Sequence, residues 1–162
     1  MRAVWFSGLL ALLLLIGLAV FLAPLQPDVL ALQMSFSARR FGEVVHAWGD
    51  AGLARFRQHL PWDGALLLAY GFFGYLLSLR SSLFRPADAP AGSAPSPRER
   101  WLLPAAALCD ALENLLHGWL TAAPRFDVPW LYACAAGLAS MKWLLIVSFA
   151  AMAAAALMRS RP

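Results

Sequence analysis

The sequence predicts an all-α integral membrane protein: a bundle of four transmembrane helices, with an amphipathic helical segment between the first and the second. Three observations carry this. Hydrophobic residues make up 61% of the 162-residue chain and charged residues only 14%, with mean hydropathy +0.64. A soluble domain lies nearer about 45–50% apolar and about 25% charged. Four stretches approach the roughly 20 apolar residues needed to cross a hydrocarbon core. No alternating strand pattern is present, so a barrel is excluded and backbone hydrogen bonds in lipid must close within helices.

The first helix, about residues 4–23, is the charge-free run Val4–Ala23. Arg2 precedes it as in a signal peptide, but the run exceeds the roughly 7–15 residues of an h-region and no A-x-A site precedes Pro24. A retained helix is expected. The second, about 62–80, is built on Gly64–Leu79. The third, about 101–122, is interrupted by polar residues. The fourth, about 129–158, has Lys142 as its only charge and ends in "AAMAAAAL", whose small residues permit close helix packing. The whole chain, 1–162, reads as one membrane domain.

The connection 24–61 is too long for a mere connector. Ser37 is placed to cap a helix with the apolar face Phe41, Val44, Val45 and Trp48, and Phe36 with Phe41 is spaced as a hydrophobic staple. Gly49-Asp50-Ala51-Gly52 ends that helix, and a second piece puts Leu53, Phe56 and Leu60 on one side. These pieces suit either the outer membrane surface or a lid packed on the bundle. The stretch 85–98, "RPADAPAGSAPSPR", holds four prolines among small residues and reads as a flexible cytoplasmic linker.

The formal charge of +4 comes from arginines scattered at helix ends, which read as topology signals rather than a nucleic-acid surface. Arg2, Arg80, Arg85, Arg98, Arg100, Arg159 and Arg161 fall on one side of the bundle; Arg39, Arg40, Arg55, Arg57 and Arg125 fall on the other. Trp5 and Trp101 mark one interface, Trp62, Trp119 and Trp130 the other. The expectation is a multi-pass protein of a bacterial cytoplasmic (inner) membrane with both termini cytoplasmic and 24–61 periplasmic. Cys109 and Cys134 differ in depth by about 20 Å, beyond disulfide reach.

The segment "CDALENLLHG", Cys109 to Gly118, places Asp110, Glu113, Asn114 and His117 at i, i+3, i+4 and i+7, on one helix face. Leu108, Leu112, Leu115 and Trp119 take the opposite face. Two charges at a helix centre cost about 5–7 kcal/mol on the insertion scale. The seven leucines of 102–120 return about 2–4. The polar face must therefore look into the bundle or a wet cavity. Counting residues from the helix ends brings Lys142 level with His117, Tyr70 level with Glu113, and Asp63 near the same outer layer.

Each has a structural alternative. Asp63 suits a cap for the second helix, Lys142 can snorkel to the interface, Tyr70 can be ordinary packing, and Asn114 and His117 can be interhelical glue. Glue does not explain two carboxylates one turn apart, which repel each other unless a cation or a proton intervenes. Asp110, Glu113 and His117 are thus candidates for acid–base chemistry, and weak candidates for metal ligation. No cofactor-binding motif, nucleophile elbow or C-x-x-C occurs.

The D-x-x-E-N pattern (Asp110, Glu113, Asn114), Trp48 and "PWDGALLLAYG" from Pro61 together resemble a group of small bacterial four-helix membrane proteins. The resemblance implies that Trp48, Asp63, Tyr70, Asp110, Glu113 and Asn114 form one pattern; it implies no activity. The function expected is binding, or modification, of a lipid head group or small amphiphile in a polar pocket open to the outer face. Asp63, Tyr70, Asp110, Glu113, Asn114, His117 and Lys142 would line it, with membrane lipid as partner and no cofactor. The alternatives are a proton- or cation-coupled transport element and a non-catalytic subunit, in a homo-oligomer or a larger membrane assembly.

Overall fold

The computed structural model describes residues 1–81, 83–84, 97–123 and 125–159. It contains five helices: α1 (Arg2–Leu22), α2 (Val29–Gln33), α3 (Ala38–Arg80), α4 (Pro97–Leu120) and α5 (Pro129–Arg159). No strand occurs among the described residues. α1, α3 and α5 are each long and apolar enough to cross a membrane. α4 is not one of these three, because the polar set from Asp110 to His117 lowers its hydropathy.

The expected linker 85–98 lies outside the described residues from 85 to 96, as do Arg85 and Arg161. Its last two residues already belong to α4, which begins about a turn before Trp101. α5 opens at Pro129, a first helical position that does not need the missing N–H. The short α2 was not expected; Asp28 caps it by accepting from the Ala31 N–H at 3.0 Å.

The largest departure concerns the second span. Its helix does not start near residue 62. α3 begins at Ala38, capped by the Ser37 hydroxyl, which accepts from the Arg40 N–H at 3.3 Å. It breaks at Gly49, where φ 59° and ψ −174° leave helical space. Such a φ favours glycine. From there the helix runs without interruption through Pro61 to Arg80. Pro61 lacks the N–H that would bond the Arg57 carbonyl, a loss that membrane helices absorb when neighbouring groups hold both sides. Here Phe56 and His59, 1% and 4% exposed, anchor the upstream side.

The four long helices pack as neighbours in chain order, α1 on α3, α3 on α4 and α4 on α5. Successive members are antiparallel: the Ser78 hydroxyl near the end of α3 donates to the Glu99 carbonyl near the start of α4 at 3.0 Å. α3 and α4 approach closely at two glycines. A Cβ on Gly74 would lie 2.5 Å from that of Leu103, and one on Gly71 would lie 3.1 Å from that of Ala107. Small residues permit this approach in the usual way of membrane helices.

The first segment of α3 is a lid on the long helices. Phe41, Val44 and Trp48 are buried in one core with Leu25, Leu32, Phe56, Leu120 and Tyr132. That answers the question the sequence leaves open, since the apolar face meets protein. Phe36 remains exposed, and Phe41 packs edge-on against Tyr132 instead of forming the expected staple.

Candidate functional site

α3, α4 and α5 bring their polar residues together below the lid. Asp110 and Glu113 share one face of α4 and both meet Lys142 of α5: Nζ lies 3.0 Å from Asp110 Oδ1 and 2.8 Å from Glu113 Oε2. The Tyr70 hydroxyl of α3 donates to Asp110 Oδ2 at 3.0 Å. One helical turn toward the lid, Asn114 Nδ2 donates to Asp63 Oδ2 at 2.6 Å. His117 Nδ1 is 3.5 Å from Glu113 Oε1.

The core of this cluster is sealed. Glu113, His117, Lys142 and Asp110 are 0%, 2%, 4% and 5% exposed. The rings of Phe41 and Phe56 stand 5.8 and 6.0 Å from His117 and close it from the lid side. Neither Glu113 oxygen has a well-aligned hydrogen bond, so the contact with Lys142 is an ion pair set by distance rather than direction. A buried carboxylate held this way depends on its counter-ion. Two carboxylates thus share one ammonium, and a third, Asp63, is held beside them by Asn114.

Each expected site residue thus has a definite place. Asp63 is in the interior of α3, not at a helix start, so it does not cap. Lys142 is buried and paired, so it does not snorkel. Tyr70 meets Asp110 rather than Glu113, and Lys142 sits a turn deeper than the level of His117. Both offsets follow from α4 beginning at Pro97, about a turn before Trp101. Trp48 lies apart from the cluster, in the lid, where its indole N–H donates to the Pro27 carbonyl. Asp110, Glu113 and His117 are poorly placed to share a metal, because the Lys142 ammonium fills the space between the two carboxylates. Among the described residues no three His, Cys, Asp or Glu side chains are grouped to hold an ion. Cys109 and Cys134 are free, as their separation requires.

One further polar residue joins the cluster without a sequence signal of its own. His59 is buried beside Phe56, its Nδ1 against the Phe56 carbonyl, and it feels the charges of Asp63 and Asp110. Positions 59, 63 and 70 share a helix face, a pattern visible only if the helix continues through Pro61.

A groove runs beside the cluster, with the exposed Leu68 and Leu115 on its lateral rim. Its cavity of about 760 Å³ lies between α3 and α4, with Arg57, Gly64 and Leu68 on one wall and Ala111, Asn114 and Gly118 on the other. Asn114 belongs both to this wall and, through Asp63, to the polar cluster. Fold and site together define a helical membrane protein with a sealed charge cluster tied to a lateral groove. No family model, no curated protein and no solved structure matches the chain.

Proposed function

We propose that this is a four-span protein of a bacterial cytoplasmic membrane that binds the head group of a lipid or small amphiphile in the α3–α4 groove. α4 serves as the fourth span. It packs between α3 and α5, its charged stripe faces inward, and its outward residues Leu108, Leu112 and Leu115 are 62%, 43% and 71% exposed. A helix polar inside and leucine-rich outside suits lipid contact. The lid lies on the periplasmic side and both termini on the cytoplasmic side, in keeping with Arg2, Arg80 and Arg159 at one end of the long helices.

The observation that carries the reading is the double role of Asn114. Its amide lines the groove and reaches the carboxylate of Asp63, so a head group entering from the side meets a polar contact backed by fixed charge. The proposed activity is binding, since Glu113 and His117 lie sealed behind this wall. A hydroxyl or amine on the ligand would donate to the Asn114 carbonyl oxygen or to Asp63. The test is lipid retention by the full chain in nanodiscs, read by native mass spectrometry. Asn114→Leu should lose the retained amphiphile while thermal stability falls little, because Asp63 is not fully buried and keeps some access to water. Equal retention by the variant and the parent protein contradicts the reading.

A proton-coupled transport element has one observation in its favour: Tyr70, Asp110, Lys142, Glu113 and His117 form an unbroken series of titratable groups across three helices. Phe41 and Phe56 close that series at its lid end.

A further inference from the structure

The groove does not end at Asn114. A second cavity of about 310 Å³ continues it along the same seam, between Phe72 and Tyr75 of α3 and Trp101 and Pro104 of α4. Leu67 and Leu68 line both cavities, so the two adjoin along one seam. We propose that this seam holds a single-chain phosphate amphiphile, of the lysophospholipid class. Its phosphate sits on Arg57, its free hydroxyl on Asn114, and its one acyl chain runs down the seam to Tyr75 and Trp101. The proposal rests on the amphiphile-binding reading of the site and names the ligand class.

Chemistry and length both support it. Arg57 is exposed at the outer end of the seam and has no ion-pair partner among the described residues. A guanidinium is the side chain best shaped to take a phosphate. From Arg57 to Gly64 the helix rises about 10 Å, which spans a head group and its glycerol. From Gly64 to Tyr75 it rises about 17 Å, on the order of one extended acyl chain. The seam offers one guanidinium, one amide and one apolar track, a set that matches one phosphate, one hydroxyl and one chain.

Gly64 keeps the track open. A Cβ there would meet nothing within 4 Å, so the space over it is empty. A larger side chain at 64 therefore fills the seam without disturbing packing, and leucine is also a better helix former than glycine.

The experiment uses the full chain in phosphatidylcholine nanodiscs, where no single-chain detergent competes, with a fluorescent palmitoyl lysophosphatidylglycerol as probe. Saturable binding is expected. Arg57→Gln should weaken it about tenfold or more, as loss of a charge-assisted contact would. Gly64→Leu should abolish it with helicity and thermal midpoint intact. Leu68→Trp, at an exposed seam position, supplies the same block if Gly64→Leu unfolds. Two-chain phosphatidylglycerol competing as well as the probe overturns the single-chain assignment. Monoacylglycerol competing as well, or Arg57→Gln binding normally, overturns the phosphate assignment. Normal binding by both blocked variants overturns the seam. Failure of the underlying reading looks different: no amphiphile of any head group saturates, and Asn114→Leu behaves as the parent protein.

Discussion

Removing the charge of Lys142 alone should damage the fold more than removing it together with a partner's charge. The ammonium lies 3.0 Å from Asp110 and 2.8 Å from Glu113, with side chains 5%, 7% and 0% exposed. Lys142→Met keeps the length of the side chain but leaves two buried carboxylates without a counter-ion. Breaking a buried pair from one side costs about 3–5 kcal/mol. At about 2–4 °C per kcal/mol for a chain of this size, the thermal midpoint should fall by about 6–20 °C. Glu113→Gln added to Lys142→Met removes the carboxylate that lacks an aligned hydrogen bond, while Asp110 keeps Tyr70. The double variant should recover at least about 1 kcal/mol, within the usual coupling of contacting residues. Thermal unfolding of the four proteins of this cycle in nanodiscs, followed by circular dichroism, measures the effect. Strictly additive losses, or a Lys142→Met protein as stable as the parent, would refute the claim that the ammonium holds the cluster together.

Two further predictions follow from packing and topology. Gly74→Ala should lower the thermal midpoint, because its Cβ would meet Leu103 at 2.5 Å and overpacking costs about 1–3 kcal/mol, whereas Gly64→Ala should not lower it; equal effects at the two sites would contradict the close α3–α4 approach. In a chain freed of Cys109 and Cys134, a cysteine replacing the exposed His46 should react with an impermeant reagent added from the periplasmic side, and one replacing the exposed Arg98 should not. The opposite labelling reverses the proposed orientation.

The readable parts of the sequence were those governed by period and depth. The stripe Asp110, Glu113, Asn114 and His117 follows from helical spacing alone, and the leucines opposite are exposed as that spacing requires. Counting residues at 1.5 Å each found Lys142, Tyr70 and Asp63 as partners, within about a turn. The lid's apolar face was also legible, though not what it would cover, because lipid and protein exert the same demand on Phe41 and Trp48. Proline was the point of failure. Local chemistry disfavours helix at the residue before Pro61. The packing of Phe56 and His59 overrides that preference, and ending the helix at 61 hid His59. The groove was invisible for a different reason. It is kept open by the absence of a side chain at Gly64, and an absence has meaning only once two helices face each other.

The central claim is that the α3–α4 groove receives an amphiphile whose head group meets Asn114 beside the sealed cluster. The decisive measurement is electron cryo-microscopy of the protein in lipid extracted from its own membrane. Elongated density is expected in the groove, with a polar head within hydrogen-bond distance of Asn114 and a chain over Gly64. A groove filled by a helix of a second copy or of another protein, or lined only by the same mobile lipid that surrounds the remaining helices, would contradict it.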